Sequence, residues 1–261
     1  KIKFKFILPG ILISCFLIIT LSLYQLHLIP KLYVDGSNLK FYYKNHKKHC
    51  VENFRFDEMV SLKCKLKGSS SKKVFIIGDS HMEAIMYDLK DKIISKKNQF
   101  ITYTNAECLY FPEFNLVNLR SNKISKICNE KYYSKIESLL EKEKNAIIII
   151  GGRFPFFLNN SYFDNQEGGT DGQEWDSKYI SNGVYDTIQN SFKNSVIKLS
   201  QNNQIILVYP IPETGWNIPQ KIVNLTPKKI SLVKEFLIPE NYVTTSYNVF
   251  KERTFSSFEL L

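Results

Sequence analysis

Arginine, alanine and histidine are all scarce in this 261-residue chain: four Arg, at 55, 120, 153 and 253, three Ala and four His. The excess of positive charge, 35 Lys+Arg against 25 Asp+Glu, is therefore a lysine excess. It is also misplaced for nucleic-acid binding. Residues 1–48 hold eight Lys against one Asp, so most of the net +10 precedes residue 49. A nucleic-acid footprint belongs on the folded domain, and its absence there excludes that class of partner. No repeat of 20–50 residues is visible, which excludes a solenoid. Nor is there a C-x-x-C pair or a matching His spacing, so a zinc site is excluded. The glycine-rich stretch Gly168 to Gly172 lacks a P-loop lysine and reads as a lid or plain linker.

Charge is missing altogether from Phe6 to Pro30, a stretch dominated by Ile, Leu and Phe. As a helix rising about 1.5 Å per residue it reaches about 36 Å, enough to cross a hydrocarbon core of about 30 Å. Lys1, Lys3 and Lys5 favour a cytoplasmic amino end and an outward-facing remainder. A cleaved signal peptide is the alternative, but no small-residue cleavage site follows. Residues 1–30 are expected to be a transmembrane helix, the last span of something larger, because the chain also begins without Met. Residues 31–70 are polar and Lys-rich, ending in Gly68-Ser69-Ser70-Ser71, and read as an extracytoplasmic linker.

Cys15 lies inside the apolar stretch, whereas Cys50, Cys64, Cys108 and Cys128 lie outside it and are even in number. Three pairings are possible. The nearest-neighbour one, Cys50 with Cys64 and Cys108 with Cys128, needs only short closures and suits an oxidising compartment.

From residue 71 onward, apolar runs alternate with helical periodicity. Val74 to Gly78, Gln99 to Thr104, Ala146 to Ile150 and Gln204 to Tyr209 read as strands, and Met82–Lys96, Ile124–Lys144 and Tyr179–Gln201 as helices. This order predicts an α/β domain over 71–261, a doubly wound parallel sheet sandwiched by helices. Ligands bind beyond the carboxyl ends of such strands. Gly78-Asp79-Ser80-His81, the loop 105–112, Gly151-Gly152-Arg153-Phe154 and Pro210-Ile211-Pro212-Glu213 should gather there. Ser80, where the helix begins, is placed to attack an acyl carbon, with its backbone N–H and the helix dipole near the oxyanion. A plain N-cap by Asp79 or Ser80 explains the same residues equally well.

The block VFIIGDSHMEAI resembles the first motif of the SGNH, or GDSL-like, hydrolases. More narrowly, the chain resembles the extracytoplasmic SGNH domain fused behind the last membrane helix of acyltransferase family 3 proteins. The features that carry the resemblance are the apolar leader, the early cysteines, GDSH at 78–81, Cys108 with Pro112, IIIIGGRF at 147–154, VYPIPETGWNIP at 208–219 and TSYNVFKER at 245–253.

The resemblance implies an O-acyltransferase, expected to be an O-acetyltransferase, of bacterial surface polysaccharide such as lipopolysaccharide O-antigen, working through an acyl-serine at Ser80. A membrane-anchored carbohydrate esterase and a degenerate glycan-binding module are the alternatives. The implied partners are a polysaccharide or lipid-linked glycan acceptor, the membrane, and a preceding acyltransferase membrane domain of the same chain. No cofactor is expected in this domain, since an acyl donor such as acetyl-CoA serves the membrane part. The implied location is the bacterial inner membrane, with the domain in the periplasm or outside.

The family's late Asp-x-x-His, the base pair of a Ser/His/Asp centre, has no counterpart among His27, His46, His49 and His81. Truncation before that motif is the expectation. The oxyanion candidates are Gly152, Arg153 and Asn105, with Asp79 in support. The structural alternatives are a pairing of Arg153 with Glu213 or Asp79, and a turn shaped by Asn105. Trp175 and Trp216 either stack on sugars or pack the loop bases.

Overall fold

The computed structural model describes residues 65–66, 68–159, 161–218 and 244–261. The expected membrane helix, most of the expected linker, Cys50 and Cys64 lie outside these residues. Among the described residues, no helix is long and apolar enough to cross a membrane.

The core is a five-stranded sheet in the order β1-β3-β2-β6-β10. Its strands are β1 (Lys65–Leu66), β2 (Lys73–Gly78), β3 (Gln99–Thr104), β6 (Ile147–Ile150) and β10 (Gln204–Leu207). β2 pairs in parallel with β3 and with β6, and β10 in parallel with β6. The sheet is mixed rather than wholly parallel, because β1 runs antiparallel to β3. That strand reaches back into residues read from sequence as linker, so the sheet starts ahead of residue 71.

Side chains alternate along β2, and each face finds its own cover. Val74 and Ile76 pack with Phe100, Ile149, Met82 and Met86, the last two on helix α1 (Ser80–Ser95). Phe75 and Ile77 face the larger cluster. That cluster includes Tyr133, Ile136 and Leu140 of α2 (Glu130–Leu140) and Phe192 and Leu199 of α4 (Ile188–Ser200). Burial on both faces is why β2 and β6 read as unbroken apolar runs. The remaining helices are α3 (Phe154–Leu158) and α5 (Tyr247–Leu260).

Two predicted helices are shorter than their periodicity implies. Lys123–Ile124 forms β5 and Ser177–Ser181 forms β9, both joined to β4 (Phe114–Asn118) in an antiparallel sheet ordered β5-β4-β9. Capping decides the true starts: the Asn129 side chain accepts from Tyr132 N–H at 3.1 Å, and Thr187 Oγ1 from Asn190 N–H at 3.2 Å. The glycine stretch after Phe163 is no plain linker. It belongs to the hairpin β7 (Phe163–Asp164) and β8 (Thr170–Asp171), whose connection is held by Asn165 Oδ1 accepting from Glu167 and Gly169 N–H.

Cys108 and Cys128 form the expected disulfide across a sequence separation of 20. Closing a loop of that size is worth about 3 kcal/mol through the unfolded state. Reduction should therefore lower the urea midpoint of the domain, and a Cys108→Ser/Cys128→Ser variant should show the same loss without reductant.

Candidate active site

Counted from β2, the chain adds β3 on one side and then β6 and β10 on the other, so the strand order reverses at β2. The crevice at such a reversal, beyond the carboxyl ends, is the usual ligand site of an open α/β sheet. Gly78, Asn105 and Gly151 all leave their strands there: Asn105 N–H donates to Gly78 O at 3.0 Å and Gly151 N–H to Ile77 O at 3.2 Å. Gly78, at φ +148°, has no room for a side chain, since a Cβ would stand 2.1 Å from Gly151 O. Gly152, at φ +150°, brings backbone against Asp79 and Leu109, where a Cβ would meet Leu109 Cδ2 at 2.1 Å.

Ser80 is the first residue of α1 and is exposed, whereas Asp79 before it is 2% exposed. Asp79 is the N-cap, accepting from His81 N–H at 2.9 Å through Oδ1. It also does more than cap, because Oδ2 accepts the backbone N–H of Arg153 at 2.7 Å. One carboxylate thus fixes the turn that carries Ser80 to the turn after β6. Burial pushes the Asp79 pKa up, against the pull of the Arg153 and His81 N–H groups and of the nearby cations.

A group whose folded pKa is raised contributes stability that is present below its ordinary value, 3.8, and lost as pH rises toward the folded value. Between those values the native state keeps a proton that the unfolded chain has released. Urea midpoints followed as pH rises from the ordinary Asp value of 3.8 should fall less steeply in Asp79→Asn than in the wild type.

Arg153 does not present a free guanidinium to the crevice. Its Nε donates to Glu213, its Nη2 to Asp171 at 2.6 Å, and its Cζ lies 4.4 Å from the Phe156 ring centroid. Burial works against its charge, yet Glu213 and Asp171 outweigh it and push the pKa up. The other oxygen of Glu213 accepts Arg253 Nε at 2.5 Å, and Arg253 lies over the Phe163 ring at 5.0 Å. The pairing of Arg153 with Glu213, one of two possibilities open in the sequence, is the one formed by the side chains; Asp79 takes the backbone.

Ser80 opens onto a cavity of about 550 Å³ lined also by Asp79, His81, Glu107, Arg153, Asp171 and Trp175. Asn105 directly follows β3 and precedes the lining residues Ala106 and Glu107, and its Nδ2 is buried with no hydrogen-bond partner among the described residues. An unpaired buried donor costs about 1–3 kcal/mol, which sets Asn105 apart from an ordinary turn residue. The loop 105–112 is anchored by Tyr179: its hydroxyl accepts Leu109 N–H at 3.1 Å, donates to Glu107 O at 3.1 Å and lies 2.9 Å from Tyr133 Oη. Trp175 lines the cavity, while Trp216 packs on Gly169 with its indole N–H donated to Thr244 O at 3.0 Å.

The turn after β6, the PIPE segment and the last helix therefore meet in a single ion-pair network behind a serine at the switch point. A family model described as the SGNH domain (fused to AT3 domains) matches residues 49–261. The chain belongs to this family. No curated protein and no solved structure matches it.

In this SGNH domain, GDSH supplies the serine turn, GGRF the arginine, PIPE the carboxylate and FKER the second arginine. The AT3 fusion marks the domain as part of an acyl-group enzyme associated with membrane acyltransferase domains. His81 is the only imidazole among the described residues. It lines the cavity, but its Nδ1 is buried with no hydrogen-bond partner among them, and no carboxylate orients it as a base. Sequence reasoning missed Asp171, Glu107, Phe156 and Tyr179 as parts of the site. Asp171 and Tyr179 lie on strands that looked like loop and helix, so no pattern in the sequence pointed to them.

Proposed function

We propose that the domain passes an acyl group, an acetyl in the simplest case, to a sugar hydroxyl of a bacterial surface polysaccharide such as lipopolysaccharide O-antigen. The observation that carries this reading is the exposed Ser80, fixed by Asp79 at the start of α1 and facing an open cavity. In the first step Ser80 Oγ bonds to the acyl carbonyl carbon, and the donor leaves with the serine proton. In the second step the sugar oxygen bonds to the same carbon, the Ser80 ester breaks, and Oγ regains a proton from the sugar hydroxyl.

The positive end of α1, where Ser80 stands, favours the negative oxygen that develops in both steps, and Asn105, whose Nδ2 is a buried donor with no partner among the described residues, is the proposed second oxyanion donor. Arg153 acts as a positioning residue, since its Nε and Nη2 are committed to Glu213 and Asp171. The donor group reaches the domain from the membrane acyltransferase part, for which acetyl-CoA is the proposed source. The proposed location is the bacterial inner membrane, with the domain in the periplasm or outside.

Hydrolysis by the same serine differs only in the second nucleophile, water in place of sugar. Membranes carrying the full protein, supplied with donor labelled in its acyl group and with de-O-acetylated glycan, should yield labelled glycan. Loss of acyl groups from pre-acetylated glycan, with no gain of label by the bare glycan, would establish an esterase instead.

A further inference from the structure

A second groove, of about 230 Å³, lies beyond the wall of the Ser80 cavity. The two share Phe156, Phe157 and Trp175, so one aromatic ridge borders both. The ridge is held in place. Trp175 Nε1–H donates to Ser177 O at 2.8 Å, and Phe156 and Phe157 meet the indole edge-on at 5.2 Å and 6.1 Å. Phe157 is braced in turn by Tyr179 at 5.3 Å.

On the serine side of the ridge stand Glu107, Gln173, Glu174 and Asp171, the last paired with Arg153; on the far side stand Ser161 and Lys178, with Asn159, whose Nδ2 donates to Arg253 O at 2.7 Å, and Asp176, paired with Arg120 at 2.6 Å. Phe156 is buried beneath Arg153, so the part-exposed Phe157 and Trp175 are the rings open to a ligand, and rings flanked on both sides by polar side chains suit a ligand that is itself two-faced. A chain of sugar rings has that character, with C–H faces to lie on the rings and hydroxyls to meet carboxylates, amides and hydroxyls. An acyl tail would need an apolar tunnel, and neither groove is one.

We infer that the groove formed by Asn159, Ser161, Asp176 and Lys178 is a distal sugar subsite, so that the acceptor is held as a chain of sugars running across Trp175 from the residue acylated at Ser80. The inference rests on the proposed glycan acceptor and adds to it the length that the site recognises.

The test uses the full membrane protein and, as probe, de-O-acetylated surface polysaccharide of the producing cell cleaved to fragments of one, two and four sugars. Binding is followed by saturation-transfer NMR. Affinity should rise about tenfold from one sugar to four. Ser161→Trp, which fills the distal groove, and Lys178→Ala, an exposed change that leaves the core alone, should each pull the four-sugar affinity toward that of one sugar.

Equal affinity at every length, or length dependence untouched by both variants, would overturn the subsite. Failure of the catalytic reading looks different. Label would then never reach any fragment in the wild type, while the length dependence of binding and its loss in the two variants would persist.

Discussion

Glu213→Ala is expected to destabilise the domain by about 3–5 kcal/mol, the cost of leaving buried charge without its partner. The Glu213 side chain is 3% exposed and sits between Arg153 Nε and Arg253 Nε. Removing it takes from both guanidinium groups the carboxylate that they share. Asp171 can still hold Arg153 through Nη2, but it is half exposed and holds it from the cavity side. The loss should spread to three elements at once: the turn after β6, the PIPE segment and α5. A urea titration measures it directly, and Glu213→Gln should fall between alanine and wild type because the amide keeps one acceptor oxygen. Wild-type stability for Glu213→Ala would show that the network is incidental to the fold.

Ser80→Ala should behave in the opposite way. The side chain is exposed, so stability should stay within about 0.5 kcal/mol of wild type. Acyl transfer should fall by about 10⁴-fold or more, the scale on which enzymes lose rate when their nucleophile is removed. Ser80→Cys, which keeps a nucleophile at the same place, should retain partial transfer. The two substitutions together separate frame from chemistry. Glu213→Ala loses activity because the scaffold loosens, whereas Ser80→Ala loses it in an intact scaffold. Cellular glycan acetylation that survives Ser80→Ala would favour a binding module.

The parts of the fold legible in the sequence were those where one periodicity ran without competition. β2, β3 and β6 are buried on both faces, so continuous apolar runs announce them, and α1 carries its apolar residues at helical spacing. Ser80 was legible for the same reason: a buried strand ending in Gly78 and a cap at Asp79 fix where it must stand.

The small antiparallel sheet was not legible. β5 has two residues and β9 five, with exposure alternating weakly, and a helical stripe continues directly into α2 and α4. In both cases a capping side chain and a turn, rather than hydrophobic periodicity, decide where the helix begins.

The ion-pair network was half legible. Arg153 and Glu213 could be named as partners because both were expected at strand ends. Arg253 lies 40 residues beyond Glu213 in sequence, and Asp171 sits in a hairpin that read as a loop. Their convergence depends on tertiary contacts that no local pattern encodes. The same holds for the donor on Asn105: the sequence offered a turn residue or an oxyanion donor, and only the fold leaves its Nδ2 buried without a partner among the described residues.

The central claim is that Ser80 carries the acyl group. The most direct measurement is to incubate the full membrane protein with acyl-labelled donor in the absence of glycan, quench with acid, and map the labelled peptides by mass spectrometry. One labelled peptide spanning Gly78 to His81 is expected, with the acyl group on Ser80, discharged on adding de-O-acetylated glycan. Label on another residue, or label reaching glycan in a Ser80→Ala protein, would contradict it.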